Sequence, residues 1–227
     1  MTHETTVVEE TTIIAGSPTP TEETTSQKQT APPSAPKGPG CTETAGGNVF
    51  YEADWSSGMN GWAGSSDWKH VDSMLANDGS PGDLDRRITA PCQPPTNDYA
   101  LEAQIQLIDP ECVFGGGRKE FGLIARAAEH EGGGVLGGFD CDKAKIASTQ
   151  YNPTLALDRE TIQSEPFTPG GEWHIYRLEV QGNEIRFLVD GSLLFDKASN
   201  RNLSGSKVGM FSHGAQINVA SFKIMKV

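Results

Sequence analysis

The chain predicts an all-β protein, an antiparallel β-sandwich, and three observations carry that expectation. Across residues 173–195 apolar and polar residues alternate on both sides of Gly182-Asn183. Tyr176, Leu178 and Val180 share one face, and Ile175, Arg177 and Glu179 the other. Ile185, Phe187 and Val189 then alternate with Glu184 and Arg186, the pattern of a hairpin with one dry and one wet face. Between residues 99 and 107, Tyr99, Leu101, Ala103, Ile105 and Leu107 alternate with Ala100, Glu102, Gln104 and Gln106, a half-buried strand. No window of a dozen residues has helical periodicity, and 26 Gly and 14 Pro supply turns between short strands.

Taken in order, residues 49–53 open the domain, and 68–71 pair with 74–77 around Asp72-Ser73. The strand at 99–107 follows, then 121–126 and 135–141, separated by a loop with Glu129, His130, Glu131 and three glycines. Strands at 145–151 and 161–164 lead into the hairpin, whose turn is Gly182-Asn183. Asp190-Gly191 makes a second tight turn before residues 193–195. Residues 208–212 and 219–224 close the domain.

Several of these segments read as family motifs. They are Trp173-His-Ile-Tyr-Arg-Leu-Glu-Val-Gln-Gly-Asn-Glu-Ile185 with Val189-Asp-Gly191, and Phe50-Tyr-Glu-Ala-Asp-Trp55 with Gly61-Trp62. Phe121-Gly-Leu-Ile-Ala-Arg126, Val208-Gly-Met-Phe-Ser212 and Val219-Ala-Ser-Phe-Lys-Ile224 continue the series. In this order, over residues 48–227, the chain resembles the concanavalin A-like lectin/glucanase superfamily, in its laminin-G-like and 3-keto-disaccharide hydrolase-like branches. The resemblance implies a jelly-roll sandwich. It implies no single activity, because the fold hosts lectins, glycosidases and plain interaction modules.

Residues 1–40 are different. They hold ten Thr and six Pro but no aromatic residue, too little apolar surface to offset chain entropy. A disordered, acidic Thr/Pro-rich linker or stalk is expected at 1–40, and one sandwich domain at 41–227. The first residues lack the basic and apolar runs of a secretion signal, and no stretch is apolar enough to span a bilayer. A stalk nevertheless points to an extracellular or cell-surface domain, cut off from an upstream anchor.

The four cysteines, Cys41, Cys92, Cys112 and Cys141, agree with that compartment. None lies in a paired zinc-type spacing, so no metal site is expected. Of the three connectivities open to them, Cys41–Cys92 with Cys112–Cys141 is expected, with four free thiols as the alternative. Asn202-Leu-Ser204 is the one unblocked glycosylation sequon. The net charge of −12, without a basic stripe, argues against nucleic acid and acidic lipid as partners.

No catalytic motif is visible. The glucanases the chain resembles carry paired carboxylates on one strand in an E-x-D-x-x-E run, which is missing here. Glu102 is a single carboxylate whose same-face neighbours are Gln104 and Gln106, and Glu129-His-Glu131 reads as a charged loop tip. Binding asks for less: an aromatic ring to stack on a pyranose and planar polar groups to hold its hydroxyls. The resemblance places Arg126, Asp140 and Arg177 near the outward face of Glu102, Gln104 and Gln106, with Trp68 and Tyr151 at its border. Asp140 is also the candidate partner for Arg126. Trp55, Trp62 and Trp173 match core positions. The expectation is a noncatalytic, monomeric recognition domain needing no cofactor, with a glycan or a protein as its ligand. The alternatives are a glycoside-processing enzyme or a ligand-free structural module.

Overall fold

The computed structural model describes residues 40–43, 47–80, 86–110, 119–128, 134–140, 143–152, 156–198 and 205–227. β1 (Val49–Glu52) runs into a 3-10 turn, Trp55–Ser57, where the Asp54 carboxylate accepts the Ser56 N–H at 3.0 Å. That bond satisfies an amide the short turn leaves unpaired. β2 (Ala63–Gly64) follows, then β3 (Trp68–Val71) and β4 (Met74–Asp78), a tight hairpin with Asp72 and Ser73 at positive φ. Next come β5 (Arg87–Thr89), β6 (Tyr99–Leu107), β7 (Glu120–Ala127) and β8 (Gly134–Asp140). β9 (Lys143–Asn152) and β10 (Ala156–Pro166) make a long hairpin. β11 (Trp173–Gln181), β12 (Glu184–Val189) and β13 (Ser192–Ala198) form the meander, and β14 (Lys207–His213) and β15 (Gln216–Met225) end the chain.

These strands build two antiparallel sheets. The first has the order β13-β12-β11-β6-β15-β4-β3, with β1 also paired to β15. The second has the order β10-β9-β8-β7-β14-β5-β2. The sandwich expected from the alternating pattern is therefore present.

Period-two alternation decides what lies between the sheets. Leu101, Ala103, Ile105, Tyr176, Leu178, Val180, Ile185 and Phe187 come from the first sheet, all essentially inaccessible to solvent. Phe121, Leu123, Ala125, Val135, Phe139, Ile146 and Met210 face them from the second. Gly182 has φ +54 in the β11–β12 turn, where any side chain with a Cβ would be strained.

Three placements differ from expectation. Trp173 lies on the exposed side of β11 (36% accessible), not in the core. Tyr176 and its even-numbered neighbours point inward, so residues 173, 175, 177 and 179 must point out. The Arg126 backbone sits at φ +52, in a bulge that shifts the β7–β14 register. Its N–H donates to the buried Tyr99 hydroxyl at 3.0 Å, tying β7 to β6 across the core. Burial pushes the Tyr99 hydroxyl up to about 12, so it stays a neutral donor and acceptor at physiological pH. Finally, β10 is 11 residues long, well beyond the 161–164 segment, because it pairs along the whole of β9.

Two links fasten the margins. Cys41 and Cys92 form the expected disulfide, bridging 51 residues of sequence. Cys112 and Cys141 lie outside the described residues, as do the Glu129–Glu131 loop and the Asn202 sequon. At the end of β11, His174 Nδ1 lies 2.7 Å from Asp190 Oδ2, and Nε2 lies 2.8 Å from the Pro169 carbonyl. Asp190 Oδ1 also accepts the Ile175 N–H at 2.8 Å.

Burial raises the Asp190 carboxyl, but the bonds from His174 and Ile175 outweigh it and hold it below its ordinary 3.8. A depressed carboxyl stabilises the fold at pH values above 3.8 and loses that contribution as pH falls through the lower folded value. Denaturant melts at stepped pH should therefore show Asp190→Asn with a shallower acid limb than the parent. Identical limbs below pH 4 would contradict the clasp.

Candidate functional site

The outer face of the second sheet holds a shallow depression. On β7, Phe121, Leu123 and Ala125 enter the core, so Glu120, Gly122 and Ile124 face outward. On β8 the same alternation puts Leu136, Gly138 and Asp140 outward, and on β14 Phe211 and His213. Register then aligns these residues across strands. His213 pairs with Glu120, Glu120 with Asp140, and Asp140 with Lys143. The next row is Phe211, Gly122, Gly138 and Lys145.

Glycines make the hollow. A Cβ on Gly138 would lie 2.1 Å from the Phe121 carbonyl oxygen, and one on Gly122 2.3 Å from that of Gly137. No other residue fits so close an approach, so the floor between Phe211 and Lys145 carries no side chains. The resulting groove is shallow and open, and is lined by Glu120, Leu136, Gly138, Phe139, Lys145, Ala147 and Phe211. Two of its apolar lining residues, Leu136 and Phe211, belong with Ile124 and Ala127 to a small buried cluster separate from the main core.

One end of the groove is charged. Glu120 is almost wholly buried (2% accessible) and faces the Lys145 ammonium at 3.7 Å. Asp140 meets the same ammonium at 3.3 Å. A carboxylate that deep needs a cation beside it, because desolvating a lone charge costs several kcal/mol or more. His213 adds a further polar group, its Nδ1 buried without a hydrogen-bond partner. An orphaned ring nitrogen is costly in a finished fold and is useful where a ligand supplies the missing bond.

The outer face of the first sheet is built differently. Arg177 lies 2.7 Å from Glu179 and 3.3 Å from Glu102, and Arg186 lies 2.8 Å from Glu179. These charges satisfy one another in a flat ladder. Trp173 and Ile175 are exposed beside Gln104 and Gln106.

The residues expected to share one site are thus split between two sheets. Arg177 does lie beside Glu102, but on the first sheet. Arg126 and Asp140 belong to the second. The bulge carries Arg126 away from the groove, where its guanidinium donates to the Asn97 carbonyl at 3.2 Å. Asp140 is the partner of Lys145, not of Arg126. Trp68 is buried (4% accessible) and donates its indole N–H to the Arg86 carbonyl, so its ring offers no stacking face. Tyr151 is placed by its backbone alone, opposite Leu157 at the β9–β10 edge. The reading from sequence passed over Glu120, Lys145, Phe211 and His213. Extending the alternation of residues 121–126 back by one position would have turned Glu120 outward.

Among the described residues no group of three His, Cys, Asp or Glu side chains has the spacing of a metal site. In sequence, neither a family model nor a curated protein matches the chain. Solved structures do match its fold. The carbohydrate-binding module CBM66 from Bacillus subtilis superposes with a TM-score of 0.58 at 19% identity, over 74% of this chain and 98% of that one. A glycoside hydrolase family 16 endo-glucanase from Bacteroides ovatus gives 0.54 at 13% identity, covering 78% of this chain and 100% of its own. LamA from Z. galactanivorans, solved with laminaritriose and laminaritetraose, gives 0.53 at 10% identity, over 78% and 98%. The fold is a concanavalin A-like jelly roll. On this concanavalin A-like frame, the groove occupies the face of one sheet, framed by strands from four separate stretches of chain.

Proposed function

We propose that the domain is a noncatalytic, extracellular carbohydrate-recognition module whose sugar site is the groove on the second sheet. The observation that carries the reading is one juxtaposition. An apolar floor of Leu136, Ala147 and Phe211 meets a buried Glu120–Lys145 pair, with His213 Nδ1 unsatisfied on the adjoining strand. A pyranose presents the same contrast, with C–H groups on its faces and hydroxyls at its rim.

The noncatalytic reading draws on the carboxylates. Glycosidases set two carboxyl groups across the scissile bond, one of them a proton donor. Glu120 and Asp140 are instead both engaged by one ammonium. The sugar-binding and sugar-cleaving proteins that share the fold are compatible with either activity, so hydrolysis is tested directly. An extracellular setting is supported by the Cys41–Cys92 disulfide, which persists in oxidising compartments. In this proposal residues 1–40 serve as the stalk, and the domain acts as a monomer.

A glycan array probed with the full chain should show a preferred set of glycans. His213→Ala should weaken binding to them about tenfold, the scale of one lost hydrogen bond of roughly 1–1.5 kcal/mol, with an unchanged circular dichroism spectrum. No retained glycan, or retention indifferent to His213, would refute the placement. Release of reducing ends from the bound glycan would establish the hydrolase alternative.

A further inference from the structure

We infer that the outer face of the first sheet carries a second sugar site, on the side of the sandwich away from the groove, for a neutral oligosaccharide laid against Trp173. The other three tryptophans are taken up by the fold. Trp55 and Trp68 are buried, and Trp62 packs on the core and donates its indole N–H to the Tyr51 hydroxyl. Trp173 is 36% accessible and makes no ring contact or side-chain hydrogen bond with a described residue. Ile175, on the same side of β11, is 43% accessible. Register places Trp173 beside Gln106 and Gln106 beside Asn218, while Gln104 lies between Ile175 and Ser221 in the next row. Their chain neighbours Ala103, Ile105, Tyr176, Ile217 and Val219 are buried in the core, so Trp173, Ile175 and the three amides point outward.

The polar groups of this patch differ from the adjoining ladder of Arg177, Glu102 and Glu179, whose members are bonded to one another. Gln104, Asn218 and Ser221 are half-buried, yet their side chains make no hydrogen bond to a described residue. The Gln106 amide donates to the Gly171 carbonyl at 2.9 Å, which fixes the group and leaves its oxygen to accept from a ligand. An amide offers donors and an acceptor together, the complement of adjacent sugar hydroxyls. The indole and Ile175 supply the apolar surface that the C–H groups of a pyranose need. None of these side chains is charged, so the occupant is a neutral one. Two rows across three strands measure about 10 Å by 7 Å from strand spacing and rise. That is far short of the roughly 800 Å² per partner of a stable protein interface, and it suits a short run of sugar rings. The two sheets stand about 10 Å apart, so no single ring touches both outer faces. The domain can then hold two glycan segments at once.

Calorimetry of the full chain with short neutral gluco-, manno- and xylo-oligosaccharides tests this, and at least one series should bind. Trp173→Ala should weaken that binding at least about tenfold, and Trp173→Phe, which keeps a ring, should recover part of it. Gln104→Ala should weaken it several-fold. All three variants should keep the circular dichroism spectrum and Tm of the parent, because neither side chain enters the core. His213→Ala, on the other sheet, should leave the Trp173-dependent binding unchanged. Affinity that survives Trp173→Ala, or binding lost to His213→Ala alone, would overturn the second site while the groove stands. Trp173-dependent binding without any His213-sensitive glycan would sink the groove and leave this site. No binding in any series would overturn the second site outright. A Trp173→Ala variant that loses self-association and keeps its sugar affinity would reassign the face to a second copy of the chain.

Discussion

Phe187→Ala should lower the free energy of unfolding by about 3–5 kcal/mol, the range for emptying a large aromatic from a closed core. Phe187 is fully buried on β12 and lies in a row of rings: Tyr176 at 6.5 Å, Phe195 at 6.2 Å and Phe139 at 6.1 Å between centroids. Its edge fills a notch on the opposite sheet. A Cβ on Gly137 would come within 2.9 Å of Phe187 Cδ2 and 2.8 Å of Leu178 Cδ1. The ring therefore spans the space between the sheets where the facing strand has no side chain to extend. Truncation leaves a cavity that neither backbone can close without breaking ladder hydrogen bonds. Denaturant unfolding monitored by tryptophan fluorescence measures the loss, and Phe187→Leu should recover part of it. A cost under about 1 kcal/mol would mean that the sheets collapse freely at this point, contrary to close packing across Gly137.

Reduction of Cys41–Cys92 should be nearly as damaging. Closing a loop of 51 residues removes unfolded-state entropy worth about 4 kcal/mol in the chain-entropy model. For a chain of this size that is roughly 8–16 °C in Tm. Backbone contacts around the bridge survive its loss: the Cys41 N–H donates to the Gln93 carbonyl at 2.8 Å, and Gly40 pairs with Gln93. The reduced protein should therefore fold to the same structure with lower stability. Calorimetry of the parent and of Cys41→Ser/Cys92→Ser, which removes this bridge alone, tests it. An unchanged Tm in the variant would show that the closed loop is already constrained by other contacts.

The fold was legible because several of its strands are wet on one side. Strict alternation in residues 99–107 and 173–189 fixes the inward face of β6, β11 and β12, and the structure reproduces it residue by residue. Trp173 shows what happens when family likeness is preferred to that alternation: the period already put it on the face of Ile175. The second sheet was harder to read. β7 and β8 are buried on both faces, so their apolar runs carry no period that tells inside from outside. The positive φ of Arg126 has no sequence signal either, since arginine holds no preference for that region.

The candidate site was less legible than the fold because it depends on which strands become neighbours. Arg177 meets Glu102 through the pairing of β11 with β6, while Asp140 meets Lys145 through that of β8 with β9. Local periodicity does not state either pairing. His213, Glu120 and Lys145 come from three strands far apart in the chain, and only the register brings them into line.

The position of the disulfide also sets a path for mechanical force. Tension applied through the chain upstream of Gly40 enters the domain at Cys41 and crosses at once to Cys92. The segment between the two cysteines, which includes β1, carries none of it while the bridge is closed. That matters because β1 hangs on β15 alone, through three register pairs, and would be the first strand to unzip. With the bridge closed the pull passes instead along the chain that leads into β6, which is hydrogen-bonded on both edges, to β11 and to β15. A domain tethered from its N-terminal side is thus gripped by the middle of a sheet, and a drag that would strip its margin meets a strand paired along both edges.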